Sequence, residues 1–88
     1  MATAIIPALL RKLTGGSERV SVSGRNVREV IVDLDRQFPG LRERLMEDDD
    51  LKPSIAVSID GEVRTGGLLD AVREESEIHF LPALGGGI

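Results

Sequence analysis

The sequence predicts an α+β fold: a mixed sheet of four to five strands, one main helix packed on one face, and a flexible glycine tail at the C-terminal side. Three observations predict it. Short apolar runs, several with period-two alternation, recur along the chain, which is strand patterning. One stretch, Val27 to Phe38, instead repeats its apolar residues at helical spacing. Glycine and proline turn signals separate these segments.

Ala2 to Ile6 is short and apolar, and Pro7 confines it to an edge or a strand end. Leu13-Thr14-Gly15-Gly16-Ser17 reads as a turn, and Arg19 to Ser23 alternates so that Val20 and Val22 share a face. These two runs are most simply an antiparallel hairpin with a long loop. Asn26 is placed to cap a helix, with Glu29 three residues on. Val27, Val30, Ile31, Leu34 and Phe38 form its apolar stripe. Arg28, Asp33, Asp35, Arg36 and Gln37 are expected on its solvent face, and Pro39-Gly40 ends it.

Leu41 to Met46 predicts a second helical turn, and Glu47 to Asp50 an exposed acidic loop. Ser54 to Ile59 reads as a central strand, with Ile55, Val57 and Ile59 on one face and Ala56 and Ser58 on the other. Asp60-Gly61 is a tight-turn signal, and Glu62-Val63-Arg64 returns as a short strand. After Thr65-Gly66-Gly67, Leu68 to Val72 predicts a helical turn and Arg73 to Ser76 a charged turn. The last strand is Glu77 to Leu81, with Ile78 and Phe80 facing the core and His79 and Leu81 facing out. A right-handed crossover then puts the first and last strands side by side at the sheet centre. That is a β-grasp, the ubiquitin-like architecture, over residues 1–83, followed by a tail at 84–88.

Composition bounds the function. With 88 residues there is one domain. The absence of cysteine removes disulfides, thiolate metal sites and cysteine nucleophiles, and fits a reducing, cytoplasmic location. The net charge of −4 argues against a nucleic-acid binder. No apolar run approaches the roughly 18 residues of a membrane span.

Catalytic and metal motifs are also missing. Glu47 to Asp50 lacks the alternating spacing and bend glycine of a calcium loop. Gly15-Gly16 and Gly66-Gly67 match no phosphate-binding fingerprint. The single histidine, His79, reads as a partly exposed strand residue or as part of a contact surface with Leu81. Nothing assembles a nucleophile, base and oxyanion site, so no intrinsic catalysis is expected. Gly85-Gly86-Gly87 is different, because a backbone without side chains can thread into a narrow cleft on another protein.

The element order and the ending -HFLPALGGG- resemble the ubiquitin-like sulfur carriers of the ThiS/MoaD family, in particular its CysO-type members. Further matches are Ile6-Pro7, Leu9-Leu10-Arg11, Thr14-Gly15-Gly16, Arg44-Leu45-Met46, Gly66-Gly67-Leu68 and Leu81-Pro82-Ala83. The resemblance implies carriage, not catalysis. An E1-like adenylyltransferase would use ATP to adenylate the carboxylate of Gly87, which is then converted to a thiocarboxylate. No cofactor is held by the carrier itself.

The thiocarboxylate would donate sulfur to an acceptor on a biosynthetic synthase, cysteine-synthase-like in the CysO branch, where a JAMM-type metalloprotease then cuts the adduct. Ile88 departs from the pattern, so proteolytic removal of Ile88 to expose Gly87 is expected. His79, Leu81 and Leu84, with Ala56 and Ser58 beside them, are the expected partner-binding residues. Two alternatives are a ubiquitin-like modifier conjugated to lysines and an interaction module with an inert tail.

Overall fold

The structure is a computed structural model, and it describes residues 1–82. Strand β1 (Ala2–Ile5) pairs antiparallel with β2 (Arg19–Val22), Ala2 opposite Val22 and Ile5 opposite Arg19. The segment between them, expected as a long loop, holds a 3-10 helix at Ala8–Thr14. It starts after Pro7 and ends at Gly15, whose φ of 65° is the left-handed conformation glycine adopts without strain. Thr14 is buried, its hydroxyl within 2.7 Å of the Ser17 carbonyl and 3.0 Å of that of Arg11.

Helix α1 (Val27–Gln37) opens with the expected cap: Asn26 Oδ1 accepts from the Glu29 amide at 2.9 Å. The Glu29 carboxylate reaches back to the Arg25 amide at 2.8 Å. Val27, Val30, Ile31 and Leu34 are fully buried, and Phe38 packs partly buried at the end of the stripe. Asp33 departs from its expected solvent position, being 7% exposed. It accepts from the Ser23 amide (3.1 Å), from Arg36 (2.6 and 3.0 Å) and from Gln37 (3.0 Å). Burial alone would raise its carboxyl pKa, but these hydrogen bonds and the Arg36 charge hold it below the ordinary value.

Asp35 caps the next element, accepting from the amides of Gly40 and Arg42 as α2 (Leu41–Leu45) begins. The acidic segment after it is a hairpin rather than a simple loop. β3 (Met46–Glu47) pairs with β4 (Asp50–Leu51) around a two-residue turn in which Asp48 and Asp49 have φ of 53° and 62°. Aspartate tolerates this region better than most residues.

β5 (Ile55–Ile59) and β6 (Glu62–Arg64) form the expected hairpin through Asp60-Gly61. Leu68 lies in a 3-10 helix at Gly67–Leu69, after which Ala71 bridges to Asn26 in place of the helical turn expected to Val72. β7 (Glu77–Pro82) completes the sheet in the order β2-β1-β7-β5-β6. β1 and β7 run parallel and every other pair is antiparallel. The middle position belongs to β7, while β5 is one place in from the edge because β6 returns along its outer side.

The inner face of the sheet presents Ala2, Ala4, Val20, Val22, Val57, Ile59, Ile78 and Phe80, all buried in one core with the α1 stripe, Leu41 and Leu45. Burial of side chains this large is the main driving force for such a fold. Among the described residues no helix is long and apolar enough to cross a membrane.

Candidate functional site

The outer face of the sheet, opposite α1, gathers the described residues expected to meet a partner. Strand register places Arg19, Ile5, His79, Ser58 and Val63 in one row across all five strands. Leu81 and Ala56 are paired in the next row toward the end of β7. Four expected contact residues, His79, Leu81, Ala56 and Ser58, therefore form a contiguous group. Their exposure differs. Leu81 is 37% exposed, while His79 and Ala56 are half-buried. Ser58 is only 7% exposed, between His79 and Val63 in the row, so it shapes this face more than it can touch a partner.

Three apolar residues of this face had no assigned role in the sequence. Ile5 is beside His79, Val63 is 66% exposed beside Ser58, and Leu9, in the 3-10 helix, is 85% exposed. Ile5, Pro7, Leu9, His79, Phe80 and Leu81 line a shallow groove of about 400 Å³ next to the end of β7. Alternation along Ala2 to Ile6 would have put Ile5 outward. The pairing that brings it to His79 joins distant parts of the chain and has no local signature.

The polar part of the site centres on Glu77. Its Oε2 accepts from Arg19 at 2.7 Å and its Oε1 lies 2.8 Å from His79 Nε2. The hydrogen bond with His79, then that with Arg19, lowers the Glu77 carboxyl below its ordinary value. At the groove edge Arg11 donates to the Ile6 carbonyl at 3.1 Å and pairs with Glu18 at 2.9 Å. Ser58 and His79 are cross-strand neighbours, but His79 Nε2 is turned to Glu77 and not to the serine hydroxyl. The imidazole and the serine hydroxyl are thus not joined as a base and its nucleophile. Among the described residues no cluster of three or more acidic, histidine or cysteine side chains is arranged to hold a metal.

Strand β7 ends at Pro82, and Leu84, Gly85, Gly86, Gly87 and Ile88 lie outside the described residues. Residues 4–87 match the ThiS family model. The chain belongs to the ThiS family.

It is 38% identical over 90 residues to the sulfur carrier protein CysO of Mycobacterium tuberculosis, covering 97% of each chain. A chain in the crystal structure of the Amycolatopsis orientalis BexX/CysO complex matches with a TM-score of 0.90 and 33% identity, over 94% of this chain and 96% of that one. Small archaeal modifier protein 1 of Methanosarcina acetivorans matches with a TM-score of 0.80 and 27% identity, over 98% and 95%. The β-grasp read from the sequence is thus the fold of this ThiS family member, and CysO is its homologue.

Proposed function

We propose that this ThiS family member is a sulfur carrier whose working group is the C-terminal carboxylate of Gly87, exposed once Ile88 is removed. The observation that carries the reading is the near-full-length similarity to CysO, joined to a triple glycine that follows the central strand of the sheet. A carboxylate is a poor electrophile, so it must first be activated. An E1-like partner lets a Gly87 carboxylate oxygen attack the α-phosphorus of ATP, releasing pyrophosphate and leaving an acyl adenylate. Sulfide then attacks the acyl carbon and displaces AMP, and the product is the thiocarboxylate.

The chain's own residues hold and present this group. The outer face, with Leu81, Ala56, His79 and Ile5, docks the partner, while Leu84 to Gly87 reach its active site. Glycine suits that arm because a Cβ would widen the channel needed to admit it. Ile88 would place a β-branched side chain beside the reacting carbon, so its removal precedes activation. The lack of cysteine means that the activated carboxylate meets no thiol of its own chain.

A sulfur-accepting synthase, cysteine-synthase-like or of another biosynthetic pathway, is the proposed consumer, with a JAMM-type metalloprotease releasing the product. Incubation with an E1-like enzyme, ATP and a sulfide source, followed by mass spectrometry of the C-terminal peptide, tests the reading. The expected result is replacement of oxygen by sulfur on Gly87 in the chain ending there. Activation of the Ile88-terminated chain with equal efficiency would overturn the processing step.

The similarity to small archaeal modifier protein 1 favours one second reading, conjugation of the same carboxylate to lysines. Lysine-linked adducts of this chain in its host, without a thiocarboxylate, would select it.

A further inference from the structure

We propose that β6 is an association edge for a second copy of this chain. The two β6 strands pair antiparallel about a two-fold axis through Val63 and join the two five-stranded sheets into one.

The two edges of the sheet differ. At the β2 edge the Ser21 carbonyl accepts from Gln37 and the Ser23 amide donates to Asp33, so α1 already engages that backbone. At the other edge, no strand among the described residues pairs with the outer side of β6. Glu62, Val63 and Arg64 are all exposed there, Val63 at 66%. An uncovered strand edge is a template for pairing with another chain.

The hairpin decides which backbone groups are free. Asp60 and Gly61 turn it with φ of 52° and 87°, the two positive values of a type I′ turn. Ile59 and Glu62, which flank the turn, therefore exchange hydrogen bonds with each other. The Asp60 amide donates to the Glu77 carbonyl on the β7 side, in keeping with that alternation. Val63, one residue after Glu62, then turns its amide and carbonyl away from β5, out of the sheet edge. Two copies related by a two-fold axis at Val63 can exchange both, each Val63 amide donating to the other copy's Val63 carbonyl.

The side chains select this register. Pairing centred on Val63 sets Glu62 opposite Arg64 of the second copy, and Arg64 opposite its Glu62. Glu62 and Arg64 share one side of the strand, already 3.3 Å apart, so the four charges alternate in sign. The two Val63 side chains meet on the other side, continuing the row that holds Ser58. Neighbouring registers that keep the outward groups paired centre on Glu62 or on Arg64. They set like charges directly opposite, which is destabilising. A three-residue strand buries little area, so the association is weak and concentration-dependent.

Sedimentation equilibrium of the full chain, over a dilution series from millimolar concentration, tests this without any partner enzyme. Its outcome is therefore independent of the carrier reading. Expected are a monomer–dimer equilibrium and slower exchange of the Val63 amide as concentration rises. Glu62→Arg and Arg64→Glu should each weaken self-association about tenfold, with little change in melting temperature. Glu62→Arg also reduces the net charge of −4, so weaker association there cannot come from overall repulsion. An equimolar mixture of the two variants should associate again, because every charge pair across the edge is then opposite in sign. A chain that is monomeric at millimolar concentration would overturn the proposal. So would a dimer indifferent to either substitution, or two variants that stay apart when mixed.

Discussion

The Ser23 amide donates to Asp33 Oδ2 at 3.1 Å, fastening the end of β2 to the middle of α1 across ten residues of sequence. The same carboxylate holds Arg36 and Gln37, and Gln37 also donates to the Ser21 carbonyl at 3.0 Å. One acidic side chain thus ties the edge of the sheet to the helix that covers it. Asp33→Ala leaves a backbone donor without its partner. The expected loss is about 1–3 kcal/mol, read as a lower urea midpoint with an unchanged m-value.

The acid limb of the stability curve follows from the direction of the same shift. A carboxyl whose folded pKa lies below its unfolded value adds stability above that unfolded value, 3.8 for aspartate here. That contribution is lost as pH falls from about the unfolded value through the lowered folded pKa. The native chain should therefore lose stability below about pH 4. Asp33→Ala should show a flatter decline over the same window in urea titrations from neutral pH to pH 2. An identical acid slope in the two proteins would contradict this assignment.

Two glycines should respond differently to alanine. At Gly24, φ is 154° and a Cβ would lie 2.8 Å from both the Val30 amide nitrogen and the Glu29 Cβ, so the first turn of α1 must shift. Gly24→Ala should cost about 1–3 kcal/mol. At Gly66 the nearest atom is an Asp70 carboxylate oxygen, 2.5 Å away, on a side chain that can turn aside. Gly66→Ala should cost clearly less, and thermal melts of the two variants decide the order.

The proposed docking face should fail by charge without loss of fold. Leu81→Asp places a carboxylate on a partly exposed side chain, so the melting temperature should change little. The kcat/KM of adenylation by an E1-like partner, followed by pyrophosphate release, should fall about tenfold or more. Val63→Asp, at the edge of the neighbouring row, should have a smaller effect. A large loss from Val63→Asp with none from Leu81→Asp would move the interface toward β6.

Most of the fold was legible because its signals are local. The Asn26 cap, the α1 stripe, the Asp60-Gly61 turn and the alternation around Ile78 and Phe80 are each specified by a few neighbouring residues. What sequence reasoning missed depends on pairing at a distance. Asp33 reads as solvent-facing by helical spacing, and only the return of β2 beside α1 buries it. Glu47 to Asp50 reads as a charged loop because two aspartates at positive φ are an uncommon way to turn a hairpin. The site was half legible: alternation along β7 gave His79 and Leu81, whereas Ile5, Leu9 and the Arg19–Glu77 pair needed the β1–β7 register.

On the proposed function, that register bears on which molecules would be activated. Residues 3 to 5 meet residues 77 to 79, so the row that includes Ile5 and His79 does not exist until the two ends of the domain have come together. A misfolded or partly folded chain still owns its glycines but has no assembled face. An enzyme that must grip the face before it reacts with the arm will pass such chains by. On the proposed function, the central parallel pair would make ATP expenditure on the carboxylate conditional on a finished fold.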